Sequence, residues 1–293
     1  MAVYSIRELE KLSGIKAHTI RIWEKRYKLI EPLRTNTNIR YYSDTNLKKI
    51  LNVAVLNRQG IKISHIARLS DQELKEEIKR ATVSTSSHQT LVDSLVIAMI
   101  DLDQYILESI VDKSISKIGF QETVTGVLYP FLKKVGILWQ SGEANPAQEH
   151  FVSNLIRQKI ISATNRLPNT FHPDAKKFIL MLPEGEWHEI ALLFAQYLLK
   201  EAHHQVIYLG QSVPYSDVLA TGAAMQFDYL VVSFTTNRPG FDSMVCLNDL
   251  GGAFPDKKIL FFSESPEIQP AGLAKNLIHI HTIQDFTGFI SDL

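Results

Sequence analysis

Phe178-Ile179-Leu180-Met181-Leu182-Pro183-Glu184-Gly185-Glu186-Trp187-His188-Glu189-Ile190-Ala191 is the stretch that decides the fold. Its apolar start, Phe178 to Leu182, has the length and continuity of a strand buried on both faces. Its end opens an amphipathic run, Ile190 to Leu199, of helical period. His188 therefore falls on a strand-to-helix turn, where open α/β sheets place ligands. An imidazole two residues after the Glu186 carboxylate suits a metal ligand whose second ring nitrogen the carboxylate holds. The same residues also suit a solvated acidic loop, and the turn alone leaves both readings open.

The pattern repeats downstream. Strand-length apolar runs recur at Val206–Leu209, Tyr229–Ser233, Ile259–Phe262 and Leu277–Ile280. Helical patterns separate or follow them: Ile190–Ala202, Pro214–Met225, Phe241–Leu250, a short Pro270–Lys275 and Gln284–Leu293. Pro214 suits a first helical turn and Gly251-Gly252 a helix end. Alternation of this kind predicts a five-stranded parallel sheet covered on both faces, a Rossmann/flavodoxin-like α/β domain over 175–293.

Upstream, from about 90 to 168, the period is helical throughout. Leu91, Leu95, Ala98, Met99 and Leu102 form one stripe, Ile106, Ile110 and Ile118 a second, and Val124, Leu128, Phe131, Leu132 and Val135 a third. Ala147 to Ile161 forms a fourth, and short connections predict a four-helix bundle. Trp139 is followed, after nine residues, by Glu149-His150 at the start of the fourth helix. Alone, that trio is equally a core indole and a capped helix start. The polar run Thr82 to His88 reads as a flexible linker over 81–89.

The chain has 293 residues, 45% hydrophobic and 21% charged, which suits two or three soluble units. Its single cysteine, Cys246, excludes an internal disulfide and a cysteine-rich zinc site. No apolar run is long enough to span a bilayer and no leader precedes the first helix signal, so a cytoplasmic protein is expected. The net charge of zero hides a split: residues 1–80 hold 17 Lys/Arg against 9 Asp/Glu, and the remainder 14 against 22. A basic first unit on an acidic body is suited to a polyanion.

That first unit, 1–80, has its own motifs. Ser5-Ile6-Arg7-Glu8 is a capping box, and Ser13-Gly14 breaks the helix it opens. A second helix, from about Ala17 through Tyr27, turns Ile20 and Trp23 inward and leaves His18, Thr19, Arg21, Lys25 and Arg26 polar, as a major-groove helix requires. Pro32 ends helical order. Arg34 to Tyr42 reads as a turn between extended segments, a wing that offers Arg34, Arg40 and Tyr41 to phosphates. Ser43 caps a further helix that carries Leu47, Ile50, Leu51, Ala54 and Val55.

These residues carry a resemblance. Tyr4 to Leu9, Gly14, Thr19 to Tyr27 and Arg40 to Ser43 resemble the winged helix-turn-helix of the MerR family in order and spacing. The spacing of Glu186-x-His188-x-x-Ala191 to Ser233 resembles the B12-binding fold, and Trp139 with Glu149-His150 resembles the cap of the CarH/LitR-type light- and B12-sensing repressors. The resemblance implies a double-stranded DNA operator, a homo-oligomer (dimer or tetramer), and adenosylcobalamin as cofactor. It implies His188 as lower axial ligand of cobalt with Glu186 behind it, Trp139 and Glu149 beside the upper face, His150 as the nitrogen that replaces the alkyl group after light, and Ser233 along the nucleotide tail.

The chain departs from that pattern in three places. Ala191 replaces a glycine, Thr235 replaces a leucine, and no Gly-Gly pair stands at Phe262-Ser263-Glu264, where bare backbone would admit the tail. Three functions therefore compete. The first is a cobalamin- and light-gated repressor. The second is a MerR-type regulator that has lost B12 and uses its C-terminal half for dimerisation or a protein partner. The third, a methyl-transfer carrier module, lacks any catalytic barrel in the chain; a non-enzyme is expected.

Overall fold

The computed structural model describes residues 3–35, 37–84, 87–140, 146–235, 241–263 and 272–293. The chain forms two compact units, 1–155 and 156–293.

In the first unit, β1 (Val3–Tyr4), β2 (Leu33–Arg34) and β3 (Arg40–Ser43) make a small antiparallel sheet in the order β1-β3-β2. Around it lie α1 (Ile6–Ser13), α2 (Ala17–Tyr27), α3 (Asp44–Arg58), α4 (Ile63–Ile66) and α5 (Asp71–Ser84). The capping box expected at Ser5 and Glu8 is present in both directions, and Gly14 closes α1 at φ 74°, a left-handed conformation that glycine adopts without strain. Helix α2 ends at Tyr27, as expected, with a left-handed Lys28 as its C-cap. The β2–β3 hairpin is the expected wing. Strand β1, too short for any periodic signal, exists because Val3 and Tyr4 pair with Ser43 and Tyr42.

The bundle helices follow: α6 (His88–Ile100), α7 (Gln104–Ile118), α8 (Phe120–Thr123), a π-helical turn at Val124–Leu128, α9 (Tyr129–Gln140) and α10 (Pro146–Arg166). The third stripe of the sequence is thus one helical path with a π turn inside it. Leu102 was expected in the first stripe but lies outside α6, exposed, at φ 52°. Ile106 is exposed as well; Ile110 faces the core as expected, joined there by Leu107 and Val111. The expected 81–89 linker is largely taken up by helix: α5 runs to Ser84 and α6 opens at His88. Helix α3 packs on α6, and residues 53–56 of α3 and 90–96 of α6 are buried on consecutive positions, so neither helix has one apolar stripe alone.

The second unit holds β4 (Lys177–Pro183), α11 (Ile190–Glu201), β5 (Gln205–Val213), α12 (Tyr215–Ala224), β6 (Tyr229–Phe234), α13 (Ser243–Ala253), β7 (Lys258–Ser263), β8 (Leu277–Ile280) and α14 (Ile283–Ser291). The five-stranded sheet is parallel throughout, in the order β5-β4-β6-β7-β8. That order reverses direction at β4, which makes the crevice past the ends of β4 and β6 the topological switch point. Phe178 to Leu182 and Leu230 to Val232 are all buried, as two covered faces demand. The expected helix at Pro270–Lys275 begins outside the described residues.

Asn276 closes the sheet's far side. Its Nδ2 donates to the carbonyls of Gly251, Phe254 and Lys257 at 3.0–3.1 Å, which ties the end of α13 and the turn into β7 to β8. Asn276→Ala leaves these carbonyls without that donor. The expected cost is about 1–3 kcal/mol, read as a lower urea midpoint for the unfolding of this unit.

Candidate functional site

The turn after β4 is built around a buried carboxylate. Glu186 is 1% exposed. Its Oε1 accepts from the backbone N–H of Trp187 at 2.9 Å, from that of His188 at 3.0 Å, and from His188 Nδ1 at 2.7 Å. Its Oε2 accepts from the backbone N–H of Thr235, just past β6, at 3.1 Å. Burial pushes this carboxyl up, but the hydrogen bonds from the His188 ring and from the His188 and Thr235 backbones outweigh it and hold the group well below the usual carboxylate range. With Nδ1–H donating to Glu186, the basic lone pair of His188 is on Nε2. The His188 side chain is 58% exposed.

The loop's course is set by its neighbours on β5. Gly185 takes φ 78°, and its N–H donates to Ser212 Oγ at 2.9 Å. The Ser212 N–H returns to the Glu186 carbonyl at 3.1 Å, and Gln211 Nε2 donates to the Trp187 carbonyl at 2.6 Å. At the start of α11, buried Glu189 accepts from Arg157 Nε at 2.6 Å and from Tyr208 Oη at 2.7 Å. Ser233 on β6 is buried. Phe262 is taken up by Phe286 of α14 in an edge contact, 5.1 Å between centroids. Glu264 lies outside the described residues.

Glu149 and His150 lie in the first turn of α10, with His150 Nδ1 3.3 Å from Glu149 Oε2 and the imidazole largely exposed. Trp139 is on α9, and its side chain is outside the described part.

In the head, His18, Arg21, Lys25 and Arg26 of α2 are exposed and Thr19 is half-buried, while Ile20 and Trp23 are in the core. Glu24 binds the wing to this helix. It accepts from Tyr42 Oη at 3.1 Å and pairs with Arg40 Nε at 3.4 Å. Burial and that carboxylate push the Tyr42 phenol up to about 12. Arg40, which the sequence offers to phosphate, also has its Nε engaged with Glu24 while its side chain stays exposed. Arg34 is exposed and donates to Asn38 Oδ1 at 2.6 Å, and Tyr41 is half-buried.

Two family models match: the MerR HTH family regulatory protein over residues 4–73 and the B12 binding domain over residues 91–162. The chain is 30% identical over 258 residues to the HTH-type transcriptional repressor CarH of Myxococcus xanthus, covering 86% of this chain and 85% of that one. The chain belongs to the CarH-like regulators. It is also 26% identical over 239 residues to the repressor CarA of the same organism, covering 80% of this chain and 77% of that one. In fold it is similar to the monomethylamine corrinoid protein of Methanosarcina barkeri, at 16% identity and a TM-score of 0.56, covering 70% of this chain and all of the other.

A MerR-type helix-turn-helix thus precedes a B12-binding domain along this chain. An exposed imidazole with its Nδ1 fixed by a buried carboxylate is a donor set that fits an axial ligand to cobalt. Sequence reasoning treated Thr235 only as a lost leucine, whereas its backbone N–H is what holds the second oxygen of Glu186. It also missed Ser212, Gln211 and Glu189. Backbone donors leave no trace in residue type, and the β5 residues were cut off because the apolar run stops at Leu209 while the strand continues to Val213.

The Glu186 carboxylate contributes stability that is fully present above its ordinary pKa of about 4.3 and is lost as pH falls below it towards the much lower folded value. Glu186→Gln is expected to destabilise the second unit at pH 7 and to flatten its pH dependence below about pH 4. Urea midpoints measured between pH 3 and 7 for both proteins check this.

Proposed function

We propose that this CarH-like regulator is an operator-binding repressor whose DNA affinity is set by adenosylcobalamin and by light. The observation that carries the proposal is the Glu186–His188 pair, held at 2.7 Å at the switch point of the sheet. Bound cobalamin would supply a cobalt centre able to accept an imidazole nitrogen, and a light-sensitive cobalt–carbon bond. In this reading Glu186 orients the His188 ring and raises its basicity. Ser233 lines the tail site. Trp139, Glu149 and His150 serve the other face, with His150 as the second nitrogen donor. The units of function are the winged helix of 1–80, the bundle of 90–168 and the α/β domain of 175–293.

The head reads DNA with Thr19 and Arg21 while Lys25, Arg26, Arg34, Arg40, Tyr41 and His18 meet the backbone. Recognition of half-sites requires at least a dimer, and a change of oligomer is the natural output of the switch. A cytoplasmic location accords with a DNA target and with Cys246 as the only cysteine. One observation favours a second reading, a regulator that no longer binds B12: Phe262, Ser263 and Glu264 stand where the glycine pair would be.

Gel filtration after mixing with adenosylcobalamin in the dark separates the two readings. The expected result is a coloured protein peak of higher mass that shifts after illumination; a colourless peak sinks the cobalamin reading. His188→Ala is expected to retain less cofactor and to lose the absorption of the imidazole-ligated form. Arg21→Ala is expected to relax sequence preference. Arg40→Ala should weaken binding to all sequences and lower the salt slope by about one. Equal loss on every sequence from both would contradict that division.

A further inference from the structure

The head and the bundle share a buried charge cluster that neither base recognition nor the His188 site uses. Asp93, in the middle of α6, is fully buried. Its Oδ1 accepts from Lys134 Nζ at 2.6 Å and from Gln89 Nε2 at 3.0 Å, and its Oδ2 from Arg58. Both cations reach one step further into the head. Lys134 Nζ donates to the Leu12 carbonyl at 2.6 Å, and Arg58 donates to the Ser13 carbonyl at 3.2 Å. These are last-turn carbonyls of α1, which lack intrahelical partners and lie at the negative end of its dipole. From there the chain passes through Gly14 into α2.

Lys134 projects from α9, the helix that carries Trp139 at its far end and begins directly after the π turn. We propose that Lys134, with Asp93 and Arg58, is the coupling through which the position of α9 is imposed on the helix-turn-helix, so that operator affinity follows the state of the bundle. The proposal rests on the cofactor-gated reading given above.

The physical basis is the cost of separating buried charges. Asp93 has no water to turn to, so a displacement of α9 either carries the α1 carbonyl along with Lys134 or leaves a carboxylate and an ammonium without partners. An arrangement of that kind favours two discrete positions over graded drift. The pair Lys48–Asp101 also involves the head helix α3, but with Lys48 partly exposed and Asp101 exposed it contributes little. Lys134 is a positioning residue: it acts through Asp93 and the Leu12 carbonyl.

The test uses full-length Lys134→Met, with Lys134→Arg as the conservative rescue and Arg58→Met as a second variant, each checked for folding by circular dichroism. Hydrogen exchange in the cofactor-free protein is the first readout. Faster exchange of the amides from Leu12 to Lys16 in the two Met variants, restored in Lys134→Arg, supports the coupling; unchanged exchange overturns it. The second readout is the ratio of operator affinities with adenosylcobalamin in the dark and after light. A ratio that collapses at least fivefold towards one, with the cobalamin spectrum unaltered, supports the proposal, and an unchanged ratio overturns it. If the wild-type protein takes up no cobalamin, the gated reading fails by itself and the exchange result still judges the coupling.

Discussion

A carboxylate that is nearly shut off from water can persist only where donors converge on it, and Glu186 has four N–H groups aimed at its two oxygens. That requirement organises the second unit. It fixes the path of the turn after β4, draws the end of β6 against it through Thr235, and leaves the His188 ring in one orientation with one tautomer. Because the donors come from the loops that leave two neighbouring strands, β4 and β6, at the switch point, the sheet order is what brings them together. Without the parallel arrangement of β4 beside β6, the histidine would be a loop residue with no fixed direction.

The first unit follows a different constraint. Its wing is joined to α2, and its bundle to the head, through carboxylates that are mostly or wholly withdrawn from water. Glu24 holds Tyr42 and Arg40, and Asp93 holds Arg58 and Lys134. Such contacts add specificity of placement more than net stability, since desolvation offsets much of the attraction. The apolar seam of α3 against α6 supplies the cohesion, and the buried charges select one register along it.

Much of this was legible in the sequence, because it depended on local pattern. The capping box at Ser5, the break at Gly14, the inward Ile20 and Trp23, and the five apolar strand runs each announce themselves within a few residues. What escaped depends on distant partners. The π turn at Val124–Leu128 keeps an apolar period that an α-helix would show as well. Leu102 looked like core because periodicity alone does not reveal where α6 stops, and Ile106 because it does not say which face of α7 is covered. The 81–89 segment reads as linker by composition, yet helices close on it from both sides. His188 stood out through its place on a strand-to-helix turn and its spacing to Glu186 and Ser233, whereas the backbone donor at Thr235 could not be foreseen from a side chain.

The exposed indole of Trp187, 62% accessible, is the immediate chain neighbour of His188, and its carbonyl is held by Gln211. The chain has three tryptophans in all, and Trp23 is sealed in the core of the head. Among the described tryptophan side chains, one is thus shielded, in the core of the head, and one is hydrated, beside His188. Whatever settles on the turn after β4 changes the surroundings of the hydrated indole, so light emitted by the protein itself becomes a gauge of that turn.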